Sequence, residues 1–195
     1  NETYSYMAIE KIDQVLDPID HFELAYNDSP LTCGPLTVTV KACTNTTCSE
    51  QYSGTTMVSL KPYPIANGQW QQHGDDDLQN GHLLTVTGGS AKVDLYHYQS
   101  LPIRINAATN NPDVLHPTLC QQGDGPINQA SCNIVFEDSG FIFDVPDKIA
   151  GQPAKNIQVR AVKPSGENSC MPLFTNRNQS INFSTEYLNP TRKIE

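Results

Sequence analysis

The chain has 195 residues, of which 37% are hydrophobic and 17% are charged, and its formal net charge at pH 7 is −9. This length is enough for one large β-sandwich or two small ones with buried cores. The negative charge argues against nucleic-acid binding, because it repels phosphate backbones. No apolar run is long enough to span a bilayer, and no basic run would hold an anionic membrane surface.

Residues 1–18 show little regular alternation of apolar and polar side chains, and strand-like alternation begins at Ile19. We interpret residues 1–18 as an N-terminal tail or linker, with a short helix over Ala8–Leu16 as the alternative. Because the chain begins at Asn1, we expect a mature piece or a fragment of a longer protein. From Ile19 onwards, apolar residues alternate with polar ones, which is typical of strands with one buried face.

The alternating runs predict about six or seven strands before Ala108. They lie around Phe22 and Leu24, and over Leu36–Ala42, Thr56–Leu60, Leu84–Val86, Val93–Leu95 and Ile103–Ala107. This spacing is expected of an immunoglobulin-like sandwich. Trp70 is the only tryptophan, and we expect it to fill the core rather than to form a ligand platform.

A segment rich in Asn, Pro, Gly and Gln runs over Thr109–Gln129, and we interpret it as a linker or a disulfide-tied loop at a domain boundary. The predicted domains are an immunoglobulin-like sandwich over 19–110 and a second β-rich domain over 111–195. Strand patterns in the second domain are few: Ile134–Phe136, Phe141–Val145, Ile157–Ala161 and Ile181–Phe183. Either that domain is an incomplete sandwich that continues beyond this chain, or its strands pack onto the first sheets.

The six cysteines are even in number and contain no C-x-x-C, so disulfides in an oxidising compartment explain them better than a metal site does. Sequence alone does not choose among the pairings. We favour Cys43–Cys48 and Cys120–Cys132, which each close a polar loop, and this leaves Cys33–Cys170 as a long-range bond. The predicted fold class is therefore all-β: immunoglobulin-like sandwich modules stabilised by disulfides, with little helix.

Several stretches together resemble one family. They are IDHFELAYNDSPLTC (19–33), TVTVKACTNTTC (37–48), CNIVFEDSGFIFDVPDKIAGQPAKNIQVRAV (132–162), the run that begins at Cys170 (CMPLF) and the run that begins at Leu188 (LNP). Over most of residues 19–190 the chain is similar to MshQ, a large protein encoded with the biogenesis genes of the mannose-sensitive haemagglutinin (MSHA) pilus, a type IV pilus of marine Gram-negative bacteria. The resemblance implies a pilus-associated or surface protein of β-rich modules, and it carries over no catalytic residues.

Two groups of residues are candidates for binding. The acidic loop with Asp75, Asp76, Asp77 and Asn80 offers the closely spaced oxygens that calcium prefers, although a solvated acidic loop explains it equally well. Tyr96 and Tyr98 lie on one face of a predicted strand and could stack on a sugar, with buried or rim packing as the alternative.

Motifs for catalysis are lacking. The sequence contains no G-x-S-x-G, and its five histidines form no H-E-x-x-H, so we do not expect an enzyme. We expect His21, next to Phe22 in the first strand, to be a hydrogen-bonded structural residue.

The sequence as a whole favours a non-enzymatic extracellular module for adhesion or assembly, with a calcium-dependent carbohydrate-binding domain as the alternative. No cofactor is expected in the first case, and calcium in the second. The expected partners are other domains of a longer surface protein, pilus components or surface glycans, with no nucleic acid and no membrane insertion by this segment. The expected location is extracellular, at the cell surface or in the periplasm of a Gram-negative bacterium.

Overall fold

The structure, a computed structural model, describes residues 18–27, 29–66, 68–144, 157–166, 169–175 and 180–182. The helix considered over Ala8–Leu16 and the Phe183 end of the strand expected over Ile181–Phe183 lie outside these residues. The regular secondary structure of the described part consists of strands and one short 3-10 turn at Ala130–Cys132. Its strands are β1 (His21–Tyr26), β2 (Leu36–Cys43), β3 (Thr55–Lys61), β4 (Gly68–Gln72), β5 (Leu78–Gln79), β6 (Leu83–Thr87), β7 (Ser90–His97), β8 (Ile103–Arg104), β9 (Asn106–Ala108), β10 (Leu119–Gln122), β11 (Asn133–Ile134), β12 (Gly140–Asp144), β13 (Gln158–Gly166) and β14 (Ser169–Pro172).

Nine of the first ten strands form two layers, and the remaining one, β8, pairs with β11 in a separate two-stranded sheet. One layer has the order β10–β1–β2–β7–β4 and the other the order β5–β6–β3–β9. Strand β7 is paired with β2 on one edge and with β4 on the other, so β6 meets it only at the turn, through Thr87 and Ser90. Gly89 in that turn has φ +89, and a Cβ there would lie 2.4 Å from Gln51. The chain therefore changes layer at a position that requires glycine.

The core lies between the two layers. Burial alternates along β2 and β7 with the period of two that a half-buried strand requires. Trp70 is 2% exposed, and its indole nitrogen donates a hydrogen bond to the Pro62 carbonyl at 3.1 Å. The prediction that Trp70 fills the core is confirmed. The largest fully buried apolar side chains are those of Ile19, Phe22, Leu24, Leu60, Leu84, Leu95, Ile105, Ile134 and Phe136.

The segment after Asn111 packs against the first sandwich. Val114 forms a parallel bridge with Ile19, and β10 extends the sheet by parallel pairing with β1. Phe136 is fully buried, and its ring meets His97 edge-on at a centroid distance of 5.4 Å. The segment interpreted as a linker or disulfide-tied loop thus contains a strand that the sequence pattern did not indicate. The placement of a domain boundary near 110 stays a prediction.

Strands β12, β13 and β14 form a separate antiparallel sheet with the order β12–β13–β14. The disulfide between Cys33 and Cys170 ties its last strand to the connection between β1 and β2. The bonds Cys43–Cys48 and Cys120–Cys132 each close a local loop. These three bonds coincide with the pairing favoured from the loop lengths. The all-β, immunoglobulin-like, disulfide-stabilised fold is confirmed.

Candidate functional site

The acidic loop precedes β6 and is held by hydrogen bonds to its own neighbours. Asp76 Oδ2 accepts a hydrogen bond from the Lys92 backbone N–H at 2.5 Å, and Asp77 Oδ2 accepts one from Gln79 at 3.0 Å. Asn80 has φ +52 and forms the turn between β5 and β6 together with Gly81. These bonds fix the loop on the sheet. Calcium binding by this loop stays a prediction.

The two tyrosines lie as neighbours at the end of β7. The centroids of the Tyr96 and Tyr98 rings are 6.4 Å apart, and their planes are inclined by 45°. Both side chains are half-buried, whereas Leu95 and His97 on the opposite face are buried. The tyrosine pair therefore lies on the outer face of the sandwich. Sugar binding by it also stays a prediction.

The structure does not join these two candidates in one site. The acidic loop is fixed near Lys92, and Tyr96 lies four residues further along the same strand. At about 3.3 Å per residue, the two positions are about 13 Å apart.

A polar cluster lies at the start of β1, where Asp20 and His21 are buried and the His116 ring is exposed, and only His21 was singled out from the sequence. His21 Nδ1 is 2.7 Å from Asp20 Oδ1, and His116 Nδ1 is 3.1 Å from Asp20 Oδ2. The hydrogen bond from His21 is the main reason why the pKa of Asp20 is below its ordinary value, and the charges of the two rings act in the same direction against the effect of burial. The expectation that His21 is a hydrogen-bonded structural residue is confirmed.

The cluster continues on the same face of β1. Glu23 is buried, with one carboxylate oxygen 3.6 Å from His21 Nε2 and the other 3.5 Å from Lys41 Nζ. Cys43 lies directly opposite His21 across the strand pair. Lys41 thus orients one end of the Glu23 carboxylate, and the other end faces the imidazole.

Part of this cluster can be recognised from the sequence, but the rest can be recognised only when the pairing between β1 and β2 is known. His21 and Glu23 are two residues apart, so they share one face of a strand. Nothing in the composition shows that Cys43 lies opposite His21, or that His116 comes back to Asp20 from a distant part of the chain. The pairing of β1 with β2 brings Cys43 to His21, and the segment that pairs with Ile19 through Val114 brings His116 to Asp20.

The three-stranded sheet presents apolar side chains to solvent. Phe141 is 49% exposed and Met171 is 41% exposed, and the register places both on one face. A shallow cavity of about 300 Å³ is lined by residues of the same sheet, among them Ile142 and Val162, and by Phe174 just after it. Exposed apolar patches of this kind are typical of interaction surfaces. Among the described residues, none of the helical segments has the length and apolarity needed to cross a membrane.

Comparison with known families divides the chain into two parts. Residues 19–113 match DUF8613, a domain of unknown function. Residues 117–195 match DUF6701, described as a domain of unknown function, first Ig-like domain. No curated protein matches the chain, and no solved structure does. The chain is therefore similar, over most of its length, to two domain families without an assigned activity, the second of which is Ig-like.

Proposed function

We propose that this chain is a non-enzymatic module of an extracellular, MshQ-like protein that acts in adhesion or in the assembly of a pilus. The observation that carries the proposal is the apolar face of β12–β14, with Phe141 and Met171 in solvent. If this face had no binding partner, polar residues would be expected there, because exposed apolar patches favour aggregation.

Disulfide bonds support the same proposal. Three bonds link loops and sheets within the described residues, and they are typical of proteins in oxidising compartments. The bond from Cys33 to Cys170 holds the three-stranded sheet to the sandwich. A rigid scaffold that carries an exposed face is suited to recognition, because little order is lost on binding. The proposed location is the cell surface or the periplasm of a Gram-negative bacterium.

The test uses the purified, oxidised chain as a competitor. If the chain acts in adhesion, adding it to piliated bacteria should reduce their attachment to a surface in a dose-dependent way. If it acts in assembly, secreting it in excess should reduce the number of pili seen by electron microscopy. The double variant Phe141→Ser with Met171→Ser should lose most of this effect. Leu115→Ser with Val135→Ser is the matched control, since both of these side chains are also exposed. Equal inhibition by both double variants, or none by the wild type, would contradict the proposal.

A second candidate function is calcium-dependent carbohydrate binding. The observation that favours it is the neighbouring pair of rings at Tyr96 and Tyr98 on the outer face of β7. Two tyrosines side by side offer apolar rings to the C–H face of a sugar and hydroxyl groups to its edge. A glycan array, read with calcium and with EDTA, tests it. Binding that survives Tyr96→Ala with Tyr98→Ala would exclude this pair as the site.

A further inference from the structure

Three different ligand atoms converge at the buried cluster on β1 and β2. A nitrogen of His21, an oxygen of Glu23 and the sulfur of Cys43 all lie within 4.8 Å of one another, and all three residues are buried. Tetrahedral zinc holds nitrogen, oxygen and sulfur ligands about 3.3–3.6 Å from one another, given its usual bond lengths. His21 Nε2 and Glu23 Oε1 are already 3.6 Å apart.

The His21 ring supplies an independent observation. Its Nε2 atom is buried without a hydrogen-bond partner within the described part of the chain, and its side chain is 2% exposed. Leaving such a group unpaired is costly. The other ring nitrogen is bonded to Asp20, and a carboxylate in that place commonly orients a histidine whose far nitrogen binds a metal.

Cys43 Sγ is bonded to Cys48, and a disulfide sulfur does not serve as a zinc ligand, whereas a thiolate does. The sequence separation of 5 between the two cysteines lies at the upper end of the range for cysteine pairs in structural zinc sites. Cys48 is half-buried, so that a reductant can reach the bond from solvent. Reduction would place two thiolates beside His21 and Glu23.

We propose that His21, Glu23, Cys43 and Cys48 form a zinc site that the Cys43–Cys48 disulfide keeps closed. A dithiol reductant gives two electrons and two protons to this bond and becomes a disulfide itself. Zinc then displaces the two thiol protons to solvent and takes two sulfur ligands, one nitrogen and one oxygen. This donor set favours zinc over calcium, which prefers oxygen ligands alone. The inference goes beyond the proposed function and does not depend on it.

The test measures metal binding before and after mild reduction. Alkylation and mass spectrometry identify the conditions under which a phosphine reductant opens only the Cys43–Cys48 bond. Cobalt, as a coloured substitute for zinc, should then bind one ion per chain, with a sulfur-to-cobalt absorption band that the oxidised chain lacks. Zinc should displace it. His21→Gln should weaken binding more than about tenfold, and Asp20→Asn by about 10–100-fold, through the lost orientation of the ring.

His82→Gln is the control, because His82 stacks on Tyr63 and is not part of the cluster. The control should bind like the wild type. Equal binding by the oxidised and reduced chains, or unchanged affinity in both His21→Gln and Glu23→Gln, would overturn the proposal. If the reduced chain unfolds, the Cys48→Ser variant provides the test of metal binding, because it frees the Cys43 thiol and leaves the other two disulfides intact. Its cobalt binding must depend on His21, and failure to bind overturns the site.

Discussion

Cys33 and Cys170 are bonded across a sequence separation of 137 residues, and this bond ties the three-stranded sheet to the connection between β1 and β2. In the loop-closure description, a disulfide that closes so long a loop contributes about 5 kcal/mol, against about 2 kcal/mol for the short loop between Cys43 and Cys48. The two bonds therefore differ in what they do: one joins separate sheets, and the other closes a local turn.

The first prediction concerns this difference. Cys33→Ser with Cys170→Ser should lower the free energy of unfolding by more than Cys43→Ser with Cys48→Ser does, and it should make β12–β14 sensitive to limited proteolysis. Urea unfolding and mass spectrometry of the fragments measure both effects. A larger loss from the short-loop variant would contradict the prediction. Alkylation of the native, non-reduced wild type should detect no free thiol.

The second prediction concerns Phe136, which lies after the segment interpreted as a linker and yet fills the core of the first sandwich. Phe136→Ala should cost about 3–5 kcal/mol, because it removes a fully buried ring and leaves a cavity. The neighbouring Val135 is 48% exposed, and Val135→Ala should change stability by less than about 0.5 kcal/mol. Chemical unfolding of the two variants gives the comparison. Similar losses would mean that residues 133–136 do not belong to this core.

The third prediction concerns the buried His97. Burial lowers the pKa of its ring, against a smaller opposite effect from the Leu101 carbonyl. Well above about pH 6.5 the imidazole is neutral in both the folded and the unfolded chain, so its ionisation does not affect stability. As the pH falls below that value, the unfolded chain takes up a proton that the folded chain resists, and stability declines until the folded pKa is reached.

His97→Leu should therefore gain stability relative to the wild type as the pH is lowered from 7 to 5, by at most about 1.4 kcal/mol per pH unit. Thermal melts across this range measure the difference. His82→Gln, at a half-buried ring that stacks on Tyr63 near the surface, serves as the control. A constant offset between His97→Leu and the wild type would refute the linkage to this ring.

The fourth prediction tests calcium at the acidic loop. If Asp75 and Asp77 bind the ion, calcium at 100 times its dissociation constant should stabilise the chain by about 2.7 kcal/mol, and EDTA should reverse this. Asp75→Asn with Asp77→Asn should abolish the shift in melting temperature. An unchanged melting temperature in the wild type would exclude a calcium site in the described part of the chain.

Some strands of the fold can be predicted from the sequence pattern, and others cannot. Leu36–Ala42 alternates strictly, and β2 lies where the pattern indicates it. Strand β4 has Trp70 as its one apolar side chain, and β10 lies among Gln, Gly and Asn, so neither leaves a period-two signal. Both are held mainly by pairing with strands far away in the sequence. Local patterns do not report such pairing.

The candidate sites also differ in whether the sequence alone reveals them. The acidic loop and the tyrosine pair are visible because their members are adjacent in the sequence. The proposed zinc site depends on the register between β1 and β2, and Asp20, which holds the His21 ring, is also bonded to His116 from a distant segment. No spacing rule applied to the sequence brings these residues together.

The parallel pairing of β1 with β10 has a consequence for how the protein is made. Cys120 of β10 pairs with Leu24 of β1. During synthesis, one edge of β1 therefore stays unpaired until about a hundred further residues have been made. At common synthesis rates of roughly 5–20 residues per second, this delay lasts about 5–20 s. Throughout that interval the nascent chain carries an open strand edge, which is a template for aggregation. A chaperone that shields β1 during this interval should therefore raise the yield of folded chain.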